Sequence, residues 1–241
     1  MTPNPWDSLS EHFNSKKNLA EVDTDAADNI LIAWPKIIEK INSWSKGKTN
    51  ISFLDYGCGT GTFCEKLRQL GHQNIIGMDS SVGMIERASK NYGKDITFTR
   101  GSADNALSIK PVDVITGVMV FQFIPNIDEV LKNLTDILKP GGLFIFAVHN
   151  PETVQVSLQR GKAMFSHFEA IENVQRGLLH LGGNPISIFI RAASEYERIM
   201  SLFGIQKISE DYPRFTQKFI SKYGTDLPED VPEYMILGFK K

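Results

Sequence analysis

Residues 53–61 read Phe-Leu-Asp-Tyr-Gly-Cys-Gly-Thr-Gly, an apolar run that passes through Asp55 into three alternating glycines, Gly57, Gly59 and Gly61. Glycine lets the backbone turn tightly and lets a ligand approach the main chain with no Cβ in the way. A helix-forming stretch follows at once. A bound group would therefore also meet unpaired N–H groups and the positive end of a helix dipole, an environment suited to an anion or a carboxylate. Asp79 closes the next apolar run, 22 residues after Gly57. An acidic residue about 20 positions beyond such a turn is placed to accept hydrogen bonds from ribose hydroxyls.

That chemistry needs a strand before the turn and a helix after it. β-rich runs occur at 51–55, 74–78, 96–99, 112–116 and 143–148, with helix-length segments at 62–69, 81–91 and 127–138. The alternation predicts βαβ units around a parallel sheet, and the nearly continuous apolar runs fit strands covered on both faces. Ser80 or Ser81 is placed to cap one helix and Asn126 another. Lys139-Pro140-Gly141-Gly142 reads as a helix stop followed by a turn.

The two ends depart from this rhythm. Trp6, Leu9 and Phe13 share one helical face, and Ile30, Ala33, Trp34, Ile37, Ile38 and Ile41 share another. Residues 151–190 exceed an ordinary connection of about 2–6 residues. Their Phe165, Phe168, Ile171, Leu178 and Leu179 predict a helical or hairpin elaboration, or a lid over a pocket. A helix at 192–203, ended by Gly204, and strands at 206–209 and 234–239 follow. The expectation is a single domain over 1–241. It comprises an N-terminal helical cap (1–48), a core (50–150), a lid-like insertion (151–190) and a C-terminal helix with antiparallel strands (191–241).

The chain has 241 residues, 41% hydrophobic and 22% charged, enough to bury a full core and too apolar for a disordered class. Its 26 basic and 28 acidic residues leave no basic footprint, so no nucleic-acid partner is expected. Two cysteines exclude a disulfide framework; Cys58 reads as a loop filler and Cys64 as core. The histidines at 12, 72, 149, 167 and 180 have no metal-ligand spacing, and no metal is expected. The Lys16-Lys17 pair reads as a solvated face. Residues 114–124 fall short of the roughly 20 that a membrane span needs, and no signal peptide is visible. A cytoplasmic location without a membrane partner is the expectation.

Taken in order, Leu54 to Gly61, Gly77 to Asp79, 112–125 and 138–146 resemble the motifs of class I S-adenosylmethionine-dependent methyltransferases, particularly the group acting on small molecules. The resemblance is close over 50–150 and looser through 191–211, where Phe203-Gly204-Ile205 matches a recurrent turn. It implies a Rossmann-like α/β fold with a seven-stranded, mostly parallel sheet and helices on both faces. It also implies S-adenosyl-L-methionine as methyl donor, S-adenosyl-L-homocysteine as product, and no metal. By the same resemblance, Gly57, Cys58 and Gly59 lie against the methionine portion and Asp79 holds the ribose hydroxyls. Ser80 and Met84 sit near the adenosine, Ser102 and Ala103 border the adenine, and Gly117 and Val118 reach the methionine end. Many members carry an acid where Ser102 stands. Ser102 offers a weaker neutral bond there, or Asp104 substitutes.

The implied reaction is an in-line displacement by an oxygen or nitrogen of a small-molecule methyl acceptor, promoted by near-attack geometry in a closed pocket. An oxygen nucleophile usually needs a general base; a neutral amine does not. The acceptor belongs at the carboxyl ends of the strands, beside the glycine turn. This makes His149, the candidate that titrates near neutral pH, the proposed base, with a hydrogen-bonded turn residue as its other reading. Trp6, Phe13, Phe123, Asn150, Arg191, Tyr196 and Tyr212 are candidates for the acceptor pocket. Arg191 either holds an acidic substrate or pairs with Glu195 one helical turn away. Two other readings stay open. An NAD-dependent oxidoreductase would require glycine or alanine where Thr62 stands, sixth from Gly57. A protein that binds S-adenosylmethionine without catalysis would share the fold.

Overall fold

The structure is a computed structural model that describes residues 4–10, 13, 28–225, 227–228 and 230–241; His12 and the Lys16-Lys17 pair lie outside them. Five strands build the parallel part of the main sheet: Ser52–Tyr56 (β1), Asn74–Asp79 (β2), Thr97–Arg100 (β3), Val112–Val118 (β4) and Leu138–His149 (β5). Successive residues of a strand point to opposite faces. In β1, accordingly, Phe53 enters one buried cluster and Leu54 the other. Helix Trp34–Trp44 (α2) buries Trp34, Ile37 and Ile41 on one face, continuing from a wider turn at Asn29–Ala33. The helices Thr62–Gln69 (α3) and Val82–Tyr92 (α4) follow β1 and β2. On the other side, Ile127–Asp136 (α6) buries Ile127, Leu131 and Leu134, spaced for one helical stripe. A short helix, Ala103–Ala106 (α5), precedes β4.

Two more strands, Gln206–Asp211 (β9) and Tyr234–Lys240 (β10), complete a seven-stranded sheet of order β3-β2-β1-β4-β5-β10-β9. β10 runs antiparallel to both neighbours, and its register places Tyr234 opposite His149. The sheet thus matches the expected α/β class, mostly parallel with an antiparallel edge. Its strand order reverses between β1 and β4, the switch point at which open α/β sheets bind ligands.

Three local expectations are corrected. Asn126 makes no side-chain cap at α6, whereas Ser81 Oγ does accept from the Met84 N–H at 3.2 Å. The turn expected at 139–142 is absorbed into β5. Val112 pairs with Leu138 and Val114 with Leu143, so the intervening residues form a bulge, and Gly141 supplies a φ of +73°. The insertion is neither purely helical nor a hairpin. It comprises a helix, Pro151–Gln159 (α7), and a separate antiparallel sheet of Phe165–Ile171 (β6), Val174–Leu181 (β7) and Asn184–Arg191 (β8). Ile188 and Ile190 of β8 pack with Val154 of α7, Phe165 and Leu179 in a third buried cluster.

Helix Ala193–Leu202 (α8) follows and contributes Tyr196, Ile199 and Met200 to the main core. Arg191 closes β8, 2% exposed. Its guanidinium donates to the carbonyls of Ile124 (2.8 Å), Pro125 (2.9 Å) and Phe121 (3.4 Å). It therefore ties the small sheet to the turn after β4, and Glu195 pairs with Arg198 instead. Arg191→Met should lower unfolding free energy by about 2–4 kcal/mol, because buried carbonyls lose charged donors. Urea denaturation checks this; a loss below about 1 kcal/mol would show that the clamp is dispensable.

Candidate active site

The glycine turn is fixed from both sides. The Gly57 and Cys58 N–H groups donate to the Met78 carbonyl at 2.8 and 3.0 Å. Asp79 Oδ2 accepts from the Gly59 N–H and Asp79 Oδ1 from the Ser81 N–H, each at 2.9 Å. Burial raises the Asp79 pKa above the ordinary carboxylate range. Two of the turn's glycines do different things. A Cβ on Gly57 would lie 2.4 Å from Val120 Cγ2, so this position lets the β4 end approach. A Cβ on Gly59, at φ +53°, would meet nothing nearer than Met84 Sδ at 4.0 Å. Gly59 thus leaves its backbone open toward the space above the sheet.

That space is a cavity of about 420 Å³. Gly57, Cys58, Gly59, Asp79, Ser80, Met84 and Val118 line it. So do Trp6, Phe13, Phe123 and His149. These are the sequence candidates that the fold brings together. The wall runs along the carboxyl edge from Asp79 on β2 to Glu233 and Tyr234 at the start of β10. With four strand steps of about 4.8 Å each, its ends lie roughly 19 Å apart.

The N-terminal helix Pro5–Leu9 (α1) is held at the start of α4. Asp7 Oδ1 accepts from Ser81 Oγ at 2.6 Å and from the Gly83 N–H at 3.2 Å, and the Ser81 bond holds the Asp7 pKa below the usual carboxylate range. This sets Trp6 edge-on to Phe123, ring centroids 4.7 Å apart. Asp55 lies beneath the turn, 2% exposed, accepting from Thr116 Oγ1 at 2.7 Å and from Cys64 Sγ at 3.4 Å. Burial pushes its pKa up to about 6. Met119, just past β4, takes a φ of +57°, a left-handed conformation that a non-glycine residue adopts at a cost of about 1–3 kcal/mol.

At the β10 end, sequence reasoning missed the most polar part of the wall. Asp28, Glu233 and Tyr234 come together there, and burial pushes the Glu233 pKa well up. Gln122, Asn29 and His149 line the same cavity, and their buried Oε1, Oδ1 and Nδ1 have no hydrogen-bond partner among the described residues. The one available signal was Glu233 standing directly before the unbroken apolar run of β10. Asp28 lies at the start of a helical segment, where an acid usually reads as a cap. His149 is 4% exposed, its ring edge-on to Phe165 at 5.4 Å, and burial lowers its pKa to about 4.

Seven candidates stand away from the cavity wall. Ser102 is exposed and bound to Asn105 in a capping box, while Ala103 is packed in the core; Gly101 lines the cavity at that point instead. Asp104 accepts from Asn133 Nδ2 at 2.8 Å. Gly117 leaves room for the Phe121 ring, 2.6 Å from where its Cβ would be. Asn150 caps α7 and donates to the Pro232 carbonyl at 2.9 Å. Arg191 is the carbonyl clamp described above. Tyr196 is core, packed on Phe146 at 5.1 Å. Tyr212 is 40% exposed and donates to Glu210 at 2.8 Å. In the small sheet, Met164, Leu179 and Leu181 face the cavity, while Phe165 and Phe168 pack within the sheet's own cluster. Among the described residues, no group of three or more potential ligands could hold a metal, and no helix is long and apolar enough to cross a membrane.

Fold and site together define a class I S-adenosylmethionine-dependent methyltransferase. The chain belongs to the methyltransferase-domain family, whose sequence model matches residues 23–209. It is 25% identical over 238 residues to a malonyl-[acyl-carrier protein] O-methyltransferase of Paenibacillus sp., covering 95% of this chain and 85% of that one. It is 30% identical over 117 residues to the ubiquinone biosynthesis O-methyltransferase of Rickettsia felis, covering 47% and 48%. The chain spans about half the length, or less, of most curated relatives it matches. In fold it is similar to magnesium protoporphyrin IX methyltransferase of Synechocystis with bound S-adenosylhomocysteine, with a TM-score of 0.63 at 14% identity over 99% of this chain and 95% of that one.

The lowered His149 pKa has a signed consequence. The native state binds fewer protons than the unfolded chain between the ordinary value of 6.5 and about 4. Stability from this residue is therefore present above pH 6.5 and lost as pH falls through 4. Asp55, with its raised pKa, acts in the opposite sense, losing stability as pH rises from about 4 to 6. Comparing wild type with His149→Phe isolates the first effect. Between pH 7 and 4 the variant should gain about 3 kcal/mol relative to wild type in urea denaturation. Parallel curves would refute the buried neutral imidazole.

Proposed function

We propose that the protein transfers a methyl group from S-adenosylmethionine to an oxygen or nitrogen of a small-molecule acceptor by in-line displacement. The observation that carries this is the open backbone at Gly59 beside Asp79, at one end of a cavity that continues to a polar, aromatic-walled end. The family assignment and the names of the relatives support the same reading, since both relatives above are named for O-methylation.

In this reading the methyl donor lies over the glycine turn. A carboxylate offers about four acceptor positions. The Gly59 and Ser81 amides take one on each Asp79 oxygen and the Ser80 N–H also interacts with the carboxylate, leaving the remaining capacity for ribose hydroxyls. Ser80, Met84 and Gly101 flank the adenosine, and Cys58, Gly59 and Val118 border the methionine portion. S-adenosylmethionine supplies a methyl group on a sulfonium, already an activated leaving group. The acceptor lone pair forms the new bond to carbon as the carbon–sulfur bond breaks, its electron pair staying on sulfur. The acceptor proton then leaves. Trp6, Phe13 and Phe123 keep water from the reacting atoms. A pKa of about 4 makes His149 a poor proton store at neutral pH, which favours a role in orienting the acceptor through Nδ1.

Asp79→Ala should weaken S-adenosylhomocysteine binding at least tenfold in calorimetry, since a charged hydrogen bond is worth about 1.5–3 kcal/mol. Unchanged affinity would remove Asp79 from the ribose site. S-adenosylhomocysteine should raise the melting temperature by mass action while NADH does not; the reverse pattern would point to an oxidoreductase. Formation of S-adenosylhomocysteine with an acceptor panel distinguishes catalysis from binding alone. In hydrogen exchange, the bound product should also protect residues 5–9 and 164–181, if these walls close as a lid. Protection confined to the glycine turn would make them static.

A further inference from the structure

The β10 end of the cavity holds groups that the cofactor reading leaves unused. Asp28 and Glu233 both bring carboxyls to this end of the cavity, and burial together with the neighbouring Asp28 carboxyl pushes Glu233 well up, toward its neutral form. Tyr234, buried, lines the cavity beside them. Gln122 and His149, 1% and 4% exposed, line the same cavity, and Gln122 Oε1 and His149 Nδ1 have no hydrogen-bond partner among the described residues. Buried polar atoms are rarely left without partners, and those that are mark a place for a ligand atom. The charged side chains on the described wall are Asp28, Asp55, Asp79 and Glu233, all acidic. Asp55 is taken by Thr116 and Cys64, and Asp79 lies at the opposite end, four strands away. Trp6, Phe13 and Phe123 line the same cavity, and aromatic faces attract cations.

We propose that this end is an acceptor subsite for an amine on an apolar body, with the Asp28–Glu233 pair receiving its N–H groups and Gln122 and His149 taking further hydrogen bonds. A carboxylate acceptor would meet like charge, and a neutral alcohol would leave the pair's charge uncompensated. The amine enters as an ammonium and loses one proton to solvent before the transfer. The freed nitrogen lone pair forms the N–C bond as the S–C bond breaks with its electrons left on sulfur. The subsite rests on the methyltransferase reading, because it assigns the acceptor of that same reaction.

The test separates the two. Protein saturated with S-adenosylhomocysteine is titrated calorimetrically at pH 7 with benzylamine, 2-phenylethylamine and 4-phenylbutylamine, and with alcohols and carboxylates of the same skeletons. At least one amine should bind tenfold or more tightly than its alcohol, and the carboxylates more weakly still. Glu233→Gln and Asp28→Asn should each erase most of that preference while leaving S-adenosylhomocysteine affinity within twofold. Two variants guard against a folding defect in either one. If S-adenosylhomocysteine itself fails to bind, the methyltransferase reading falls. If it binds but amines show no preference over alcohols, or the preference survives both substitutions, the amine subsite is overturned.

Discussion

The two oxygens of Asp79 hold N–H groups from two different segments, the glycine turn at Gly59 and the start of α4 at Ser81. The turn, with left-handed backbone at Gly57, Gly59 and Gly61, is held by this link together with the Gly57 and Cys58 bonds to the Met78 carbonyl. Ser81 is engaged further: its hydroxyl donates to Asp7 and accepts from Met84, so α1 is carried on the same anchor. A negatively charged Asp7 at the N-terminus of α4 also complements that helix's dipole. One carboxylate therefore sets the positions of the cradle, the following helix and the N-terminal wall.

The cavity is electrostatically graded rather than uniformly polar. At the switch point burial pushes Asp55 up to about 6, and at the β5 end it pushes His149 down to about 4. Both shifts have the same physical cause, desolvation of the charged form, and both favour the neutral form near the reacting centre. Farther along, beside Asp28, burial pushes the Glu233 carboxyl well up. Charge is thus concentrated at the two ends, Asp79 and the carboxyl pair, with weakly charged groups and aromatic rings between. A sulfonium methyl and its attacking atom would meet in the middle, where low polarity strengthens the end charges' pull on bound ligands.

What could be read from the sequence follows the range of the interactions. The glycine turn, Asp79, the βα rhythm and the N-terminal apolar stripes depend on near neighbours or on simple periods, so residues 51–118 carry their own description. The small sheet was less legible, although Ile186, Ile188 and Ile190 alternate as a half-buried strand should. Gly182-Gly183 beside them marks a turn, but three strands needed a partner surface, α7 and Val154, that no local pattern names. The carboxyl pair was illegible for a stronger reason. Asp28 and Glu233 are 205 positions apart, and they meet because β10 inserts antiparallel beside β5. Arg191 and Tyr196 misled through type: a charged and an aromatic residue near a pocket sequence suggested contact, whereas both are consumed in packing.

Arg191 also explains how a sheet outside the main one can form part of the site. Its guanidinium holds the carbonyls of Phe121, Ile124 and Pro125, the turn that carries Gln122 and Phe123 into the cavity. Phe123 packs on Trp6, Trp6 rides on α1, and α1 is fixed by Asp7 to Ser81 and so to Asp79. The contacts form a continuous path around the mouth, from the small sheet through the post-β4 turn and the N-terminal helix back to the cradle. Displacing Arg191 moves a buried charge and strips the turn's carbonyls of their donor, and both are costly. The insertion at 151–191 is in this sense part of the cavity's frame: its last residue fixes the same turn that presents Gln122, a polar group left with an acceptor atom to spare.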